Sequence, residues 1–223
     1  MYLMNICSAK DCNNTALSSF DENGNITEDK GFCFEHLANK DEYVSKIKKY
    51  ILDHDKIVGL TACGISFSDS DFTNKKFYGC NFQHCTFSNI HADNTRMRMC
   101  IFDFSSFENC SFLKSNIQYT SFSGSNFSQT LFTGSDLIDN NFNGATAVEC
   151  SFDDSDCYNS RFIRANLQNT SFRNCNIKKT IFYNSTRDNV SLKLSNTREA
   201  LFDRNTAGLV SEIDTITDED LTK

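Results

Sequence analysis

Every fifth residue from Ala62 to Phe182 is apolar, twenty-five positions without a break, and sixteen of them are Phe. A period of five fits neither an α-helix, at 3.6 residues per turn, nor a strand, whose side chains alternate in twos. A repeating architecture must therefore be considered ahead of local propensity. Two residues before each apolar centre stands Gly, Ala, Ser, Thr or Cys in twenty of the twenty-five units. Two residues after it stands Gly, Asn or Asp in sixteen, including Gly79, Asn109, Gly124, Asp154 and Asn174. Those residue types accept turns and left-handed backbone. Each unit thus reads as a short extended piece with two inward side chains, followed by a corner.

Units such as Ala165-Asn166-Leu167-Gln168-Asn169 and Ser135-Asp136-Leu137-Ile138-Asp139 resemble the pentapeptide-repeat family over about residues 60–202. The resemblance implies an all-β fold: a right-handed, quadrilateral parallel β-helix with four units, or twenty residues, per coil. The sequence supports that coil length separately. Read every twenty residues, one column runs Phe82, Phe102, Phe122, Phe142, Phe162, Phe182, Phe202, while its neighbour after Phe77 runs Met97, Ile117, Leu137, Cys157, Ile177. Phe202 keeps the register beyond the weaker units centred on Arg187 and Thr197, with Val190, Leu192 and Ala200 still at inward places. Roughly seven coils at ~4.8 Å each give a rod of about 35 Å. A buried Phe contributes on the order of 1.5–3 kcal/mol, which makes the Phe stack the main source of stability.

Residues 1–38 break the period and carry the one constellation with metal chemistry. Cys7-x4-Cys12 is followed by Gly31-x-Cys33-x2-His36. Three thiols and an imidazole form a complete tetrahedral zinc set, with no position left open for catalysis. The polar stretch between the pairs, with Asn23-Gly24-Asn25 at its middle, is expected to loop out as a hairpin. The pattern resembles small bacterial and nuclease-associated zinc modules of the form CxxxxC…GxCxxH. The competing expectation is three reduced cysteines in a small apolar cluster beside an exposed His36.

Residues 39–59 read as an amphipathic helix with Tyr43, Val44, Ile47, Tyr50 and Ile51 on one face and an Asn39/Glu42 capping box. Its expected role is to cover the open first coil, whose edge could recruit other strands. Leu60, Ile65 and Lys75 depart from the small-residue rule, as units beneath a cap should. Residues 203–223 are expected to form a C-terminal cap, through Leu209, Val210, Ile213 and Ile216, and an acidic tail.

Six of the eleven cysteines (Cys80, Cys85, Cys100, Cys110, Cys150 and Cys175) take the small inward place, and Cys157 is a centre. There they are expected to act as small reduced hydrophobes rather than as a disulfide framework. The net charge is −7, yet residues 60–182 carry ten basic and eleven acidic groups. With no basic stripe in the sequence, direct nucleic-acid binding is not expected. No apolar run is long enough for a membrane span, and the opening residues lack the pattern of a secretory signal, so a cytoplasmic protein is expected. His54, His84 and His91 are scattered, with no nucleophile beside them.

Function in such a rod must lie on outward places or at the ends. Ile138 with Tyr158, and Ile163 with Ile181 and Tyr183, flanked by Arg161 and Arg164, form an expected apolar interaction patch. Phe104, outward after Phe102, is expected to widen its corner. The leading functional expectation is a non-catalytic scaffold for protein–protein interaction, with an unidentified protein partner or a homodimer through the C-terminal end. The alternative comes from the resemblance: some family members mimic DNA and bind DNA gyrase in connection with quinolone resistance. Against it stand the nearly neutral rod and the extra N-terminal module.

Overall fold

The computed structural model describes residues 5–203, and the expected C-terminal cap and acidic tail beyond Asp203 lie outside them. From Ile57 onward the chain winds as a parallel β-solenoid in which each residue pairs with the one twenty positions later. Four sides alternate around the coil. Side A is a five-stranded sheet, Lys56–Val58, Lys76–Tyr78, Arg96–Arg98, Asn116–Gln118 and Asp136–Ile138. Its line continues through single bridges at Asp156 and Asn176. Side C is a seven-stranded sheet running from Ser66–Ser68 to Thr186–Asp188. Sides B and D between them are held by single bridges, such as Asn81↔Ile101 and His91↔Ser111.

The five-residue period is visible in the backbone itself. The corner residue of every unit from Gly59 to Glu199 has positive φ, between 48° and 77°. Gly, Asn and Asp tolerate this conformation best, yet Met99, Phe104, Lys114, Tyr119 and Arg164 adopt it as well. The inter-coil hydrogen bonds fixed by neighbouring units hold such residues in a left-handed state of ~1–2 kcal/mol intrinsic cost. Phe104 therefore corrects the expectation of a widened corner. Its φ of 58° matches the other corners, and its ring lies over Gly124 and stacks on His84 at 5.4 Å.

Inside, like rings stack along columns and meet edge-on between them. The side B column from Phe82 to Phe202 keeps centroids 4.8–5.2 Å apart with nearly parallel rings. Across the interior, Phe152 meets Phe162 at 5.7 Å and 88°. Offset stacks and edge-to-face contacts are the two favourable aromatic arrangements. The weak unit at Arg187 is absorbed by the same column, for its guanidinium lies 5.3 Å from the Phe202 ring and donates to Ser185 Oγ.

The N-terminal end is closed by a helix and a small head. Helix α1, Lys40–Asp53, buries Ile47 and Ile51 completely and rests Tyr43, Val44 and Tyr50 on the first coil. It ends earlier than its apolar pattern suggests, because Lys56–Val58 already pairs with Lys76–Tyr78 and turns Ile57 inward. The expected capping box also differs: Asn39 makes no side-chain cap, and its amide donates to Glu42 Oε2 at 3.4 Å. Lys75 explains its departure from the small-residue rule by donating to the carbonyls of Leu52 and His54 at the helix end. In the head, β1 (Ser19–Phe20) and β2 (Ile26–Thr27) form the expected hairpin. Asp21 closes its turn by accepting from the amides of Asn23 and Asn25. Phe20 packs on Tyr43 and Tyr50, and Ser18 N donates to Thr61 O while Ser18 Oγ accepts from Thr61 N. The head is thus hydrogen-bonded directly to the first coil. No helix among the described residues is long and apolar enough to cross a membrane.

Candidate metal centre and outward faces

The Cys7-x4-Cys12 pair sits on a knuckle closed by Cys7 N to Asn14 O and by an Ile6↔Thr15 bridge. Asp11, at φ 60°, turns the chain so that Cys12 faces back toward Cys7. Cys33 and His36 flank one 3-10 turn, with His36 N donating to Cys33 O. Gly31 joins the two halves. Its carbonyl accepts from Ser8 N, and a Cβ at this position would stand 2.7 Å from Leu17 O, a separation only glycine avoids.

These elements bring the four sequence-predicted ligand atoms within 4.8 Å of one another. Cys12 Sγ lies 3.9 Å from Cys33 Sγ, and His36 Nδ1 lies 3.2 Å from Cys33 Sγ and 3.6 Å from Cys7 Sγ. A tetrahedral zinc, with bonds of about 2.3 Å to sulfur and 2.0–2.1 Å to nitrogen, requires edges of about 3.8 Å and 3.6 Å. The donor set and its spacing therefore fit such an ion, while His36 is exposed, as the alternative of a reduced cysteine cluster also expects.

The surroundings favour thiolate at two of the three sulfurs. Burial opposes ionisation of Cys7, but the amides of Cys33 and Ala9 outweigh it and lower its pKa. Burial likewise opposes Cys33, and the His36 amide and ring overcome it. At Cys12 the Asn14 amide favours thiolate, yet burial and the neighbouring Cys7 and Cys33 sulfurs prevail and raise the pKa. Asn14 is the residue that the motif alone did not mark: its side-chain amide reaches Cys33 Sγ at 3.9 Å and Glu35 at 3.4 Å. Its place two residues after Cys12 was the only available signal.

The outward apolar residues fall on two adjoining sides. Ile138 and Tyr158 follow the centres of side A, and Lys179 lies 5.4 Å from the Tyr158 ring. Ile163, Ile181 and Tyr183 lie on side B, where Ile181 is in register with Arg161 and Leu201. The corner carrying Asp139, Asn159 and Lys179 runs between the two groups. Tyr183, Leu201 and Phe202 border a groove of about 590 Å³ at the last described coil. Of the scattered histidines, His54 is tied to Tyr50 O and lies tilted against the Tyr50 ring, and His84 stacks on Phe104.

Residues 125–202 match the family model described as a pentapeptide repeat region, and residues 76–112 and 93–129 match pentapeptide repeats (8 copies). No curated protein matches the sequence. Among solved structures, a trypsin-treated form of QnrB1, a plasmid-mediated fluoroquinolone resistance protein, is similar at 18% identity. That match covers 70% of this chain and 93% of QnrB1, with a TM-score of 0.48. HetL, a pentapeptide repeat protein involved in heterocyst differentiation regulation in Nostoc sp. strain PCC 7120, is similar at 12% identity. It covers 70% of this chain and 93% of HetL, with a TM-score of 0.33.

Proposed function

This chain belongs to the pentapeptide-repeat family, and from that premise we propose that it is a non-catalytic scaffold, a rigid rod with a zinc-stapled head that binds protein partners through its outward sides. The filled interior is the observation that supports this reading most. The apolar centres from Phe67 to Phe182 are almost wholly buried, and a cavity among the rings from Phe72 to Phe112 holds about 20 Å³, too little for a substrate, so recognition is left to the outer sides and the ends. Two of the inward thiols are also withheld from chemistry, since burial pushes Cys150 to about 11 and Cys175 to about 12.

Zinc in the head would be structural. Cys7, Cys12, Cys33 and His36 would supply all four ligands, so that the ion crosslinks the knuckle, the hairpin and the segment leading to α1. In a module this small, a metal substitutes for the core that the chain is too short to build.

Side B near Ile163 and Tyr183 is the proposed partner surface. A photocrosslinking side chain at Tyr183 should trap a defined protein species in cells of the source organism, whereas one at Ser128 on side C should trap little. Equal trapping at both positions, or none at either, would overturn the reading. Inhibition of DNA gyrase supercoiling by the purified protein would instead favour the DNA-mimic alternative.

A further inference from the structure

Side A carries a charge order that becomes visible only when the coils are stacked. The place before each centre reads Lys56, Lys76, Arg96, Asn116, Asp136, Asp156, each in register with the next. The place after each centre reads Val58, Tyr78, Arg98, Gln118, Ile138, Tyr158. Like charges in register on one sheet repel, and Lys56, Lys76 and Arg96 enter no ion pair among the described residues. All three are exposed, as is Asp136.

We propose that side A is a self-complementary surface on which a second copy of this chain docks face to face with its rod antiparallel. A two-fold axis lying in the contact plane along the strand direction keeps each column on itself and reverses the order of the coils. Placed between the third and fourth coils, it sets Lys56 against Asp156, Lys76 against Asp136 and Arg96 against Asn116 of the second copy. The same operation sets Val58 against Tyr158, Tyr78 against Ile138 and Arg98 against Gln118. The two lysines meet carboxylates, the two arginines meet neutral amides, and apolar residues meet apolar ones. The corner column follows suit, bringing exposed Met99 onto exposed Tyr119. Such an arrangement is the isologous contact of a two-fold dimer.

The register is specified against its neighbours. A slip of one coil in one direction places Arg96 on its own symmetry mate. A slip in the other keeps two opposite-charge pairs, Lys76 with Asp156 and Arg96 with Asp136, but puts Lys56 on Asn176, Val58 under Lys178 and Ile138 under Arg98, so in that direction the apolar column selects the register. The groove of about 520 Å³ beside this side, where Ile26 of the hairpin faces Val58, Tyr78 and Met99, would receive Tyr158 and Ile138 of the second copy. A side about six coils long and one short strand wide covers roughly 300 Å², well below the ~800 Å² per partner of a standard interface. The dimer is accordingly weak and sensitive to salt.

This inference deepens the scaffold reading by naming a second copy as one partner, and it can fail alone, because its test uses only purified protein. Sedimentation velocity over a concentration series should show a reversible dimer that weakens as salt is raised. Lys76→Glu or Asp136→Lys alone should weaken it about tenfold or more, since each places like charges at two symmetry-related points. An equimolar mixture of the two variants should restore association, because both pairs in the mixed dimer are again opposite in charge. Lys56→Glu with Asp156→Lys repeats the design at the outer pair, and circular dichroism with melting confirms that each variant is folded. A monomer at every concentration, a dimer indifferent to both charge changes, or a mixture that fails to reassociate would overturn the proposal. If Leu201→Asp alone abolishes the dimer, the contact lies at the C-terminal end instead.

Discussion

Ser105, Cys100 and Asn140 occupy equivalent inward places, and their common property is a hydrogen bond rather than size alone. Ser105 Oγ donates to Phe82 O, Cys100 Sγ to Phe77 O and Asn140 Nδ2 to Ile117 O, each to the centre of the coil before. The same groups accept from backbone amides. Ser105 Oγ takes the Cys85 amide, and Asn140 Oδ1 takes the Thr120 amide. The inward cysteines are therefore weak donors in a hydroxyl ladder as well as small hydrophobes, which explains how Asn140 is tolerated among Ser and Thr. Outside, Phe104 roofs Gly124 so closely that a Cβ there would meet the ring at 2.7 Å. Gly124→Ala should lower stability by about 1–2 kcal/mol or more from backbone strain and the clash together. Part of that loss should vanish in the Phe104→Ala background, read as coupling in a double-mutant cycle by urea denaturation. Asp153 supplies the pH-dependent case. Burial disfavours its carboxylate, but the Arg173 guanidinium, at 2.7 Å, and the Ser171 hydroxyl overcome that and hold the pKa below its usual value. A depressed pKa contributes stability above the unfolded value of about 3.9 and loses it as pH falls through the folded value. Asp153→Asn should therefore lower the Tm at neutral pH, and the gap to the parent should close as the pH drops below about 4.

At the scale of elements, α1 shows two periodicities competing for one stretch of chain. The helical face of Tyr43, Val44, Ile47, Tyr50 and Ile51 was legible because a 3.6 period differs sharply from five. Its end was not, because Ile57 satisfies an apolar place in either pattern. The tertiary hydrogen bond from Lys76 N to Asp55 O decides for the strand. The helix then ends over Lys75, whose Nζ serves two of the carbonyls a helix terminus leaves without partners. Lys75→Met keeps the stem that packs beneath the helix and removes the donors. It should destabilise the protein by about 1–3 kcal/mol and speed amide exchange in residues 47–53 more than in the coils after Phe122. Uniform acceleration along the chain would show that Lys75 acts on the whole rod rather than on the cap.

For the whole molecule, nearest-neighbour stacking makes stability local, so an effect at one end should fade along the rod. The purified protein should carry about one zinc per chain. Chelation, or Cys33→Ser, should lower the Tm and expose the head and first coil to proteolysis, while the side B column from Phe122 to Phe182 stays protected. Unchanged melting with no bound metal would end the zinc proposal.

The coil length, the inward places, the left-handed corners, the helical cap and the identity of the four candidate ligands were legible in the order of residues alone. Each of these is set within a few residues or by strict repetition, as with Phe82 and its successors every twenty positions. Folding in three dimensions was needed to bring Cys7, Cys12, Cys33 and His36 together, to turn Lys75 back to the helix end, and to lay Phe104 over Gly124 instead of widening its corner. It also decided that Lys56 stands in line with Lys76 and Arg96 on the side where Asp136 and Asp156 follow. Inward residues are chosen by burial, which repeats with the chain. Outward neighbours lie twenty residues apart and become neighbours only when the coils stack and the head docks, so their charges have meaning only on the assembled surface.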